Sequence, residues 1–284
     1  MGITTIGWTS TIDPDGTIAP GYTANPWMGC VRVSPGCQHC YAESFVVNRF
    51  KLPVWGPAST TKRVRTKAAW VNVPRWNKAA KLAGVRRKVF VASLADVFED
   101  HPMLPEWRRD FLTLLERCTS LDVQLLTKRP ENVVKMVPEA WLKMWPAHIW
   151  VGATAEDRKR MAERSVALRD VPALVRFLSC EPLLEDLGSM DLTGIDWAII
   201  GGESGTGARP FNIEWARNII RECRKSATAI FVKQFGAVPV TGGGTRIELV
   251  DSSHGGDPEE WPKDLRIREF PVVRNAEVST FALT

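Results

Sequence analysis

Three cysteines crowd into eleven residues near the start of the chain, in Cys30-Val-Arg-Val-Ser-Pro-Gly-Cys37-Gln-His-Cys40-Tyr41. Thiolates are soft metal ligands, and Pro35-Gly36 lets the backbone curl so that all three sulfurs face one ion. Structural zinc wants a closed shell of four ligands. The other three cysteines, Cys118, Cys180 and Cys223, stand far off in the sequence, and His39 is the fourth donor closest to hand. A cubic iron–sulfur cluster has four irons, so three cysteines would leave one iron open to something that is not protein. No Ser/His/Asp set and no H-E-x-x-H pair occurs, and His101 and His148 have no partners at metal-binding spacing.

The elements that must position this loop can be read from periodicity. Six short apolar runs begin at Val89, Val123, Ile149, Leu174, Trp197 and Ile230. Their starts lie 23 to 34 residues apart, the length of a strand, a helix and two loops. Two helices are legible between them. Trp107, Phe111, Leu114, Leu115 and Cys118 share one face after Pro105, and Ile213, Ala216, Ile220 and Cys223 share another after Asn212, a good N-cap. With a further strand near Trp27, the pattern predicts an α/β fold: a full or partial parallel (β/α) barrel of six or seven units. The expected boundaries are a lead-in over 1–26, a barrel with its cysteine loop over 27–236, and a small irregular or β-rich C-terminal extension over 237–284.

In such a barrel the residues just beyond each strand converge on one mouth, where chemistry is done. Here they are polar on nearly every strand: Ser93 and Asp96, Lys128 and Arg129, Thr154 and Glu156, Ser179 to Glu181, Gly201 to Gly205, then Lys233 and Gln234. A ring of this kind can hold a zwitterionic, ribose-bearing molecule, with carboxylates for its ammonium and cations for its carboxylate. Lys128 and Arg129 have an alternative role, pairing with carboxylates of the mouth to stabilise it. Glu203 is a candidate catalytic residue facing cofactor or substrate. Gly201-Gly-Glu-Ser-Gly205 has neither the Walker pattern nor a dinucleotide fingerprint, so it is a weak phosphate loop. Cys180 is a candidate hydrogen-atom donor at a strand end, and the competing reading is a buried, inert thiol.

The cysteine loop, set just after the first strand with a ring-bearing residue before the last cysteine, resembles that of the radical S-adenosylmethionine (SAM) superfamily. The spacing is a variant, C-x6-C-x2-C in place of the usual C-x3-C-x2-C, and the ring is His39. From Trp27-Met-Gly-Cys30 to Val232-Lys-Gln-Phe-Gly236 the chain resembles a phage-associated, uncharacterised branch related to the spore photoproduct lyase group. The resemblance implies a [4Fe–4S] cluster on Cys30, Cys37 and Cys40, and SAM on the open iron. It implies one-electron cleavage of SAM to methionine and a deoxyadenosyl radical that takes hydrogen from a substrate. It also implies an electron donor such as a flavodoxin or ferredoxin, and it places Ser93, Asp96, Lys128, Thr154 and His39 at the cofactor.

Composition narrows the setting. The 284 residues, 44% hydrophobic, suffice for one large core, and no membrane span or signal peptide is legible. A cytoplasmic protein, in a host cell if phage-encoded, is expected, and reduced thiols there favour metal over disulfides. The net charge of +5 is unevenly placed: twelve Lys or Arg and no acidic residue fall between Ser44 and Ala95. Over 49–88 these cations alternate with Trp55, Trp70 and Trp76, a mixture suited to phosphate neutralisation and base stacking in a nucleic acid. The alternatives are a solvated basic face with core tryptophans, and a nucleic-acid-binding protein in which zinc or a cluster only shapes the loop.

Overall fold

The computed structural model describes residues 2–272. Seven strands form one sheet: β1 (Tyr22–Ala24), β2 (Arg87–Val91), β3 (Leu121–Thr127), β4 (Ile149–Thr154), β5 (Arg176–Cys180), β6 (Trp197–Gly201) and β7 (Ala229–Gln234). Every neighbouring pair is parallel, and spatial order follows chain order from β1 to β7. The sheet curls into a half-barrel, with its edges at β1 and β7. Helices α1 (Ala68–Leu82), α2 (Leu104–Glu116), α3 (Arg158–Arg169) and α4 (Ile213–Ser226) cover the convex side.

Alternation along the strands sorts side chains between two cores, because successive residues point to opposite faces. Val89, Val91, Val123, Leu125, Ala198 and Ile200 face the helices. Phe90, Trp150, Phe177, Trp197 and Phe231, from five different strands, meet on the concave side. Trp8, from the lead-in, enters that concavity with its ring 4.8 Å from Phe90 and 6.2 Å from both Phe177 and Trp197. The lead-in thus plugs the N-terminal end of the half-barrel. Its Asp13 takes a two-pronged ion pair from Arg87, and Lys88 Nζ donates to Ser10 O at 2.8 Å.

Departures from the sequence expectation have local causes. The first strand of the sheet is Tyr22–Ala24, whereas Trp27–Met28 pairs antiparallel with Val64–Arg65 outside the sheet. No helix follows β5; Pro182, Gly188 and Gly194 break the segment, yet Leu183, Leu187, Met190, Leu192 and Ile195 still cover the sheet. Helix α1 forms despite Pro74, burying Ala69, Val73 and Ala80. Both expected helices are present, with Asn212 Oδ1 accepting from Glu214 N at 2.9 Å to cap α4. After β7 the chain is mostly irregular, with Pro239–Val240 pairing with Phe211–Asn212 and two 3-10 turns; the remainder of the expected extension, 273–284, lies outside the described residues.

Candidate active site

The cysteine loop leaves β1 directly and lies over the C-terminal end of the sheet. Asn25 anchors its start, donating to Ser93 Oγ at 2.9 Å and accepting from Leu94 N at 2.6 Å. Three further points pin it across the mouth. Beyond β3, Arg129 donates to Val31 O at 2.9 Å and lies 3.8 Å from Cys30 Sγ. Beyond β4, the Glu156 carboxylate sits under Gly36, where a Cβ would come within 3.1 Å of it. Beyond β6, Arg209 donates to Pro35 O at 3.0 Å, while His39 Nδ1 meets Glu203 Oε2 at 3.0 Å.

The charges beneath the loop are paired as buried charges must be. Asp96 accepts from Thr127 Oγ1 (2.7 Å), Lys128 N (3.0 Å), Arg129 Nη1 (2.7 Å) and Phe98 N (3.0 Å). Its oxygens are therefore occupied by the protein. Thr154 Oγ1 donates to Glu156 at 3.0 Å and accepts from Lys128 Nζ at 3.1 Å and Arg164 at 2.6 Å. Burial opposes ionisation of Glu156, but Lys128, Arg164 and Ser34 outweigh it and hold the carboxyl down at about 2. One oxygen of this carboxylate, Oε1, is buried with no hydrogen-bond partner among the described residues.

Glu203 is held by Arg209 rather than presented to the mouth. Arg209 reaches it through Nε (3.0 Å), Nη2 (2.6 Å) and its own backbone N (3.0 Å). Burial would raise the Glu203 carboxyl, yet Arg209 and His39 keep it below the ordinary value. The glycines before it serve close backbone packing: a Cβ on Gly202 would stand 2.1 Å from Phe235 O. Cys180 faces away from the mouth. It alternates with Ser179, is buried among the apolar residues between sheet and helices near Cys223, and burial pushes its thiol upward. A thiol buried among apolar side chains is what this position holds.

All six cysteines are free, and the three of the loop fit a metal group in kind. Each has a cation or donor beside it: Arg129 at Cys30, the Ser34 hydroxyl 3.8 Å from Cys37, and at Cys40 the backbone N–H groups of Glu43 and Ala42 together with the charge of Lys128. Burial nevertheless pushes Cys30 up to about 12 and raises Cys40, so a metal would have to displace their protons. No three His, Cys, Asp or Glu side chains are already drawn together as a metal site among the described residues.

The basic segment divides in two. Arg63 is buried and forms a two-pronged pair with Glu99 at 2.9 and 2.7 Å, while Arg86 pairs with Asp122. Arg49, Lys51, Lys62, Arg65, Lys67, Arg75, Lys78 and Lys81 are exposed. The three tryptophans are anchors instead of a stacking surface: Trp76 stacks on Tyr22 at 4.3 Å, Trp70 packs edge-on to Phe111, and Trp55 packs in the small core under the loop. Among the described residues the exposed Phe and Tyr rings are Tyr41, Phe45 and Phe50. Arg129 takes the alternative role that its sequence position offered, pairing with a mouth carboxylate, Asp96. Arg164 and Arg209 were not legible in the sequence, although Arg209, six residues from Glu203, had a local signal.

No helix among the described residues is long and apolar enough to cross a membrane. A solved structure described as spore photoproduct lyase complexed with dinucleoside spore photoproduct is similar at 12% identity over 70% of this chain and 59% of that one, with a TM-score of 0.39. The chain thus spans about three fifths of that protein's length. No curated protein matches the sequence. Residues 4–262 match the family described as protein of unknown function (DUF5131), and the chain belongs to that family.

Proposed function

We propose that this chain is a radical SAM-type iron–sulfur enzyme. The observation that carries the reading is the placing of three free cysteines on one loop, pinned from three strand ends over the mouth of a parallel half-barrel. When bound, a [4Fe–4S] cluster with SAM at its open iron supplies, after one-electron reduction, a radical that takes hydrogen from the substrate. Cys30, Cys37 and Cys40 hold the cluster. Lys128 and Lys233, both partly accessible, are the cations placed to orient a carboxylate, and Glu181, paired with Lys233, is placed to meet an ammonium. Asp96 and Ser93 act by fixing the strand ends beneath, Thr154 positions Lys128, and His39 and Glu203 hold the loop down.

A nucleic acid or nucleotide is the substrate class best supported. Eight exposed cations, Arg49 to Lys81, have no carboxylate partner among the described residues, and phosphate would supply it. A base within a duplex would have to be extruded to reach the mouth. Charge reversal at Lys62, Arg65 and Lys67 together, leaving buried Arg63 intact, should weaken nucleic-acid binding and flatten its salt dependence; unchanged binding would remove this substrate class.

The enzyme reading is tested on anaerobically purified, reduced protein by iron, sulfide and electron paramagnetic resonance, with and without SAM. A signal that changes on adding SAM and vanishes in Cys37→Ala is expected. A colourless protein with stoichiometric zinc would instead establish the structural-metal alternative, and a cluster indifferent to SAM would sink the catalytic one.

A further inference from the structure

The three loop thiols do not receive equal treatment. Cys37 has a neutral hydroxyl beside it and Cys40 the backbone N–H groups of Glu43 and Ala42, with the charge of Lys128 further off, but Cys30 faces a guanidinium nitrogen at 3.8 Å. That guanidinium is fixed. Its Nη1 also donates to Asp96 Oδ2 at 2.7 Å and its Nη2 to Val31 O at 2.9 Å, and the side chain is 8% exposed. Asp96 is fixed in turn by Thr127, Lys128 N and Phe98 N. A planar fork held in this way has its direction set before any ligand arrives.

We propose, on the enzyme reading above, that Arg129 is a positioning residue for Cys30: it holds the first cysteine of the loop in place and, by donating to its sulfur, raises the reduction potential of the cluster. Reduction adds negative charge that spreads onto the ligand sulfurs. A charged donor beside one of them stabilises the reduced form more than the oxidised form. Burial strengthens the effect, because the field of Arg129 is poorly screened there.

The test is Arg129→Lys, with Arg129→Gln as a second variant should the first not fold. A lysine ammonium can satisfy Asp96 but cannot fork to Val31 O and Cys30 at once. Two readouts are taken on folded protein. In iron-free protein, the rate of Cys30 alkylation by iodoacetamide relative to Cys37, mapped by mass spectrometry, should rise several-fold as the loop end is freed. In loaded protein, the midpoint potential from an electron paramagnetic resonance titration should fall. An unchanged alkylation ratio overturns the positioning role whether or not a cluster forms, and an unchanged midpoint overturns the tuning role. A wild-type protein that takes up no cluster counts against the enzyme reading alone, since the alkylation ratio still decides whether Arg129 holds Cys30.

Discussion

The two ends of the half-barrel are built from the same strands in opposite materials. At the floor, Phe90, Trp150, Phe177, Trp197 and Phe231 close around Trp8, with Trp197 in ring contact with Trp8, Trp150, Phe177, Phe231 and Phe270. At the mouth, a few residues along those strands, the buried groups are Asp96, Arg129, Thr154, Glu156, Arg164 and Glu203. Burial of aromatic surface stabilises mainly by the area removed from water, a non-directional effect. Buried charge stabilises little and must be matched atom by atom. One end therefore holds the fold together, while the other fixes where a few polar atoms lie.

The comparison is most exposed to failure at Trp197. Trp197→Ala should cost about 3–5 kcal/mol in denaturant unfolding, with iron content per folded molecule unchanged. Equal loss of iron would mean that the ends are not separable. Removing Arg164 leaves Glu156 buried with Lys128, 3.9 Å away, as its remaining ion-pair partner. Arg164→Ala should cost about 3 kcal/mol, and a cost exceeding that of Trp197→Ala would reverse the ranking of the two ends.

pH sharpens the contrast. The Glu156 carboxyl titrates at about 2 in the fold against an ordinary 4.5. The unfolded chain therefore binds the extra proton between those values, so this group's stabilisation is complete above 4.5 and lost as pH falls toward 2. Lys88, at the floor, is depressed from 10.5 to about 8 by burial. Again the unfolded chain binds more protons, so its contribution makes stability rise with pH between 8 and 10.5. Glu156→Gln should flatten the acid arm alone, and Lys88→Met the alkaline arm alone, in urea midpoints measured across pH. The smallest effect belongs to Gly36→Ala: a methyl 3.0 Å from the Glu156 carboxyl carbon displaces the loop slightly, costing about 1 kcal/mol. Iron retention after chelator challenge should fall more visibly than stability.

Much of the floor and sheet was legible because parallel strands buried on both faces read as continuous apolar runs. All six expected runs overlap strands, and the helices with regular apolar spacing are present. Tyr22–Ala24 escaped notice because three residues carry almost no periodic signal, and its partner lies at Val89–Val91. Helix α1 was hidden by Pro74 and its cations. The mouth was legible as a list of polar strand ends, but not as a set of partnerships. His39 finds Glu203 across 164 residues and Arg129 finds Cys30 across 99. Residue types announce that a buried carboxylate will need a cation; only the fold decides which one it receives.

Because the sheet adds each strand beside the one before it, assembly can keep pace with synthesis from β1 onward. With Gly2 to Thr4 already lying along the β1 border, each stage then presents one open border, waiting for the next strand. Among the described residues the border at β7 has no eighth strand of the sheet to meet it. It is met instead by Ile267 to Glu269, whose backbone bonds with Val232 and Ile230 at 2.8 and 2.7 Å. A ribosome must release more than thirty residues past β7 before that border is sealed. During that interval an apolar strand edge stands open to pairing with another chain. The segment around Arg268 is thus the point at which a nascent chain stops being adhesive along this edge.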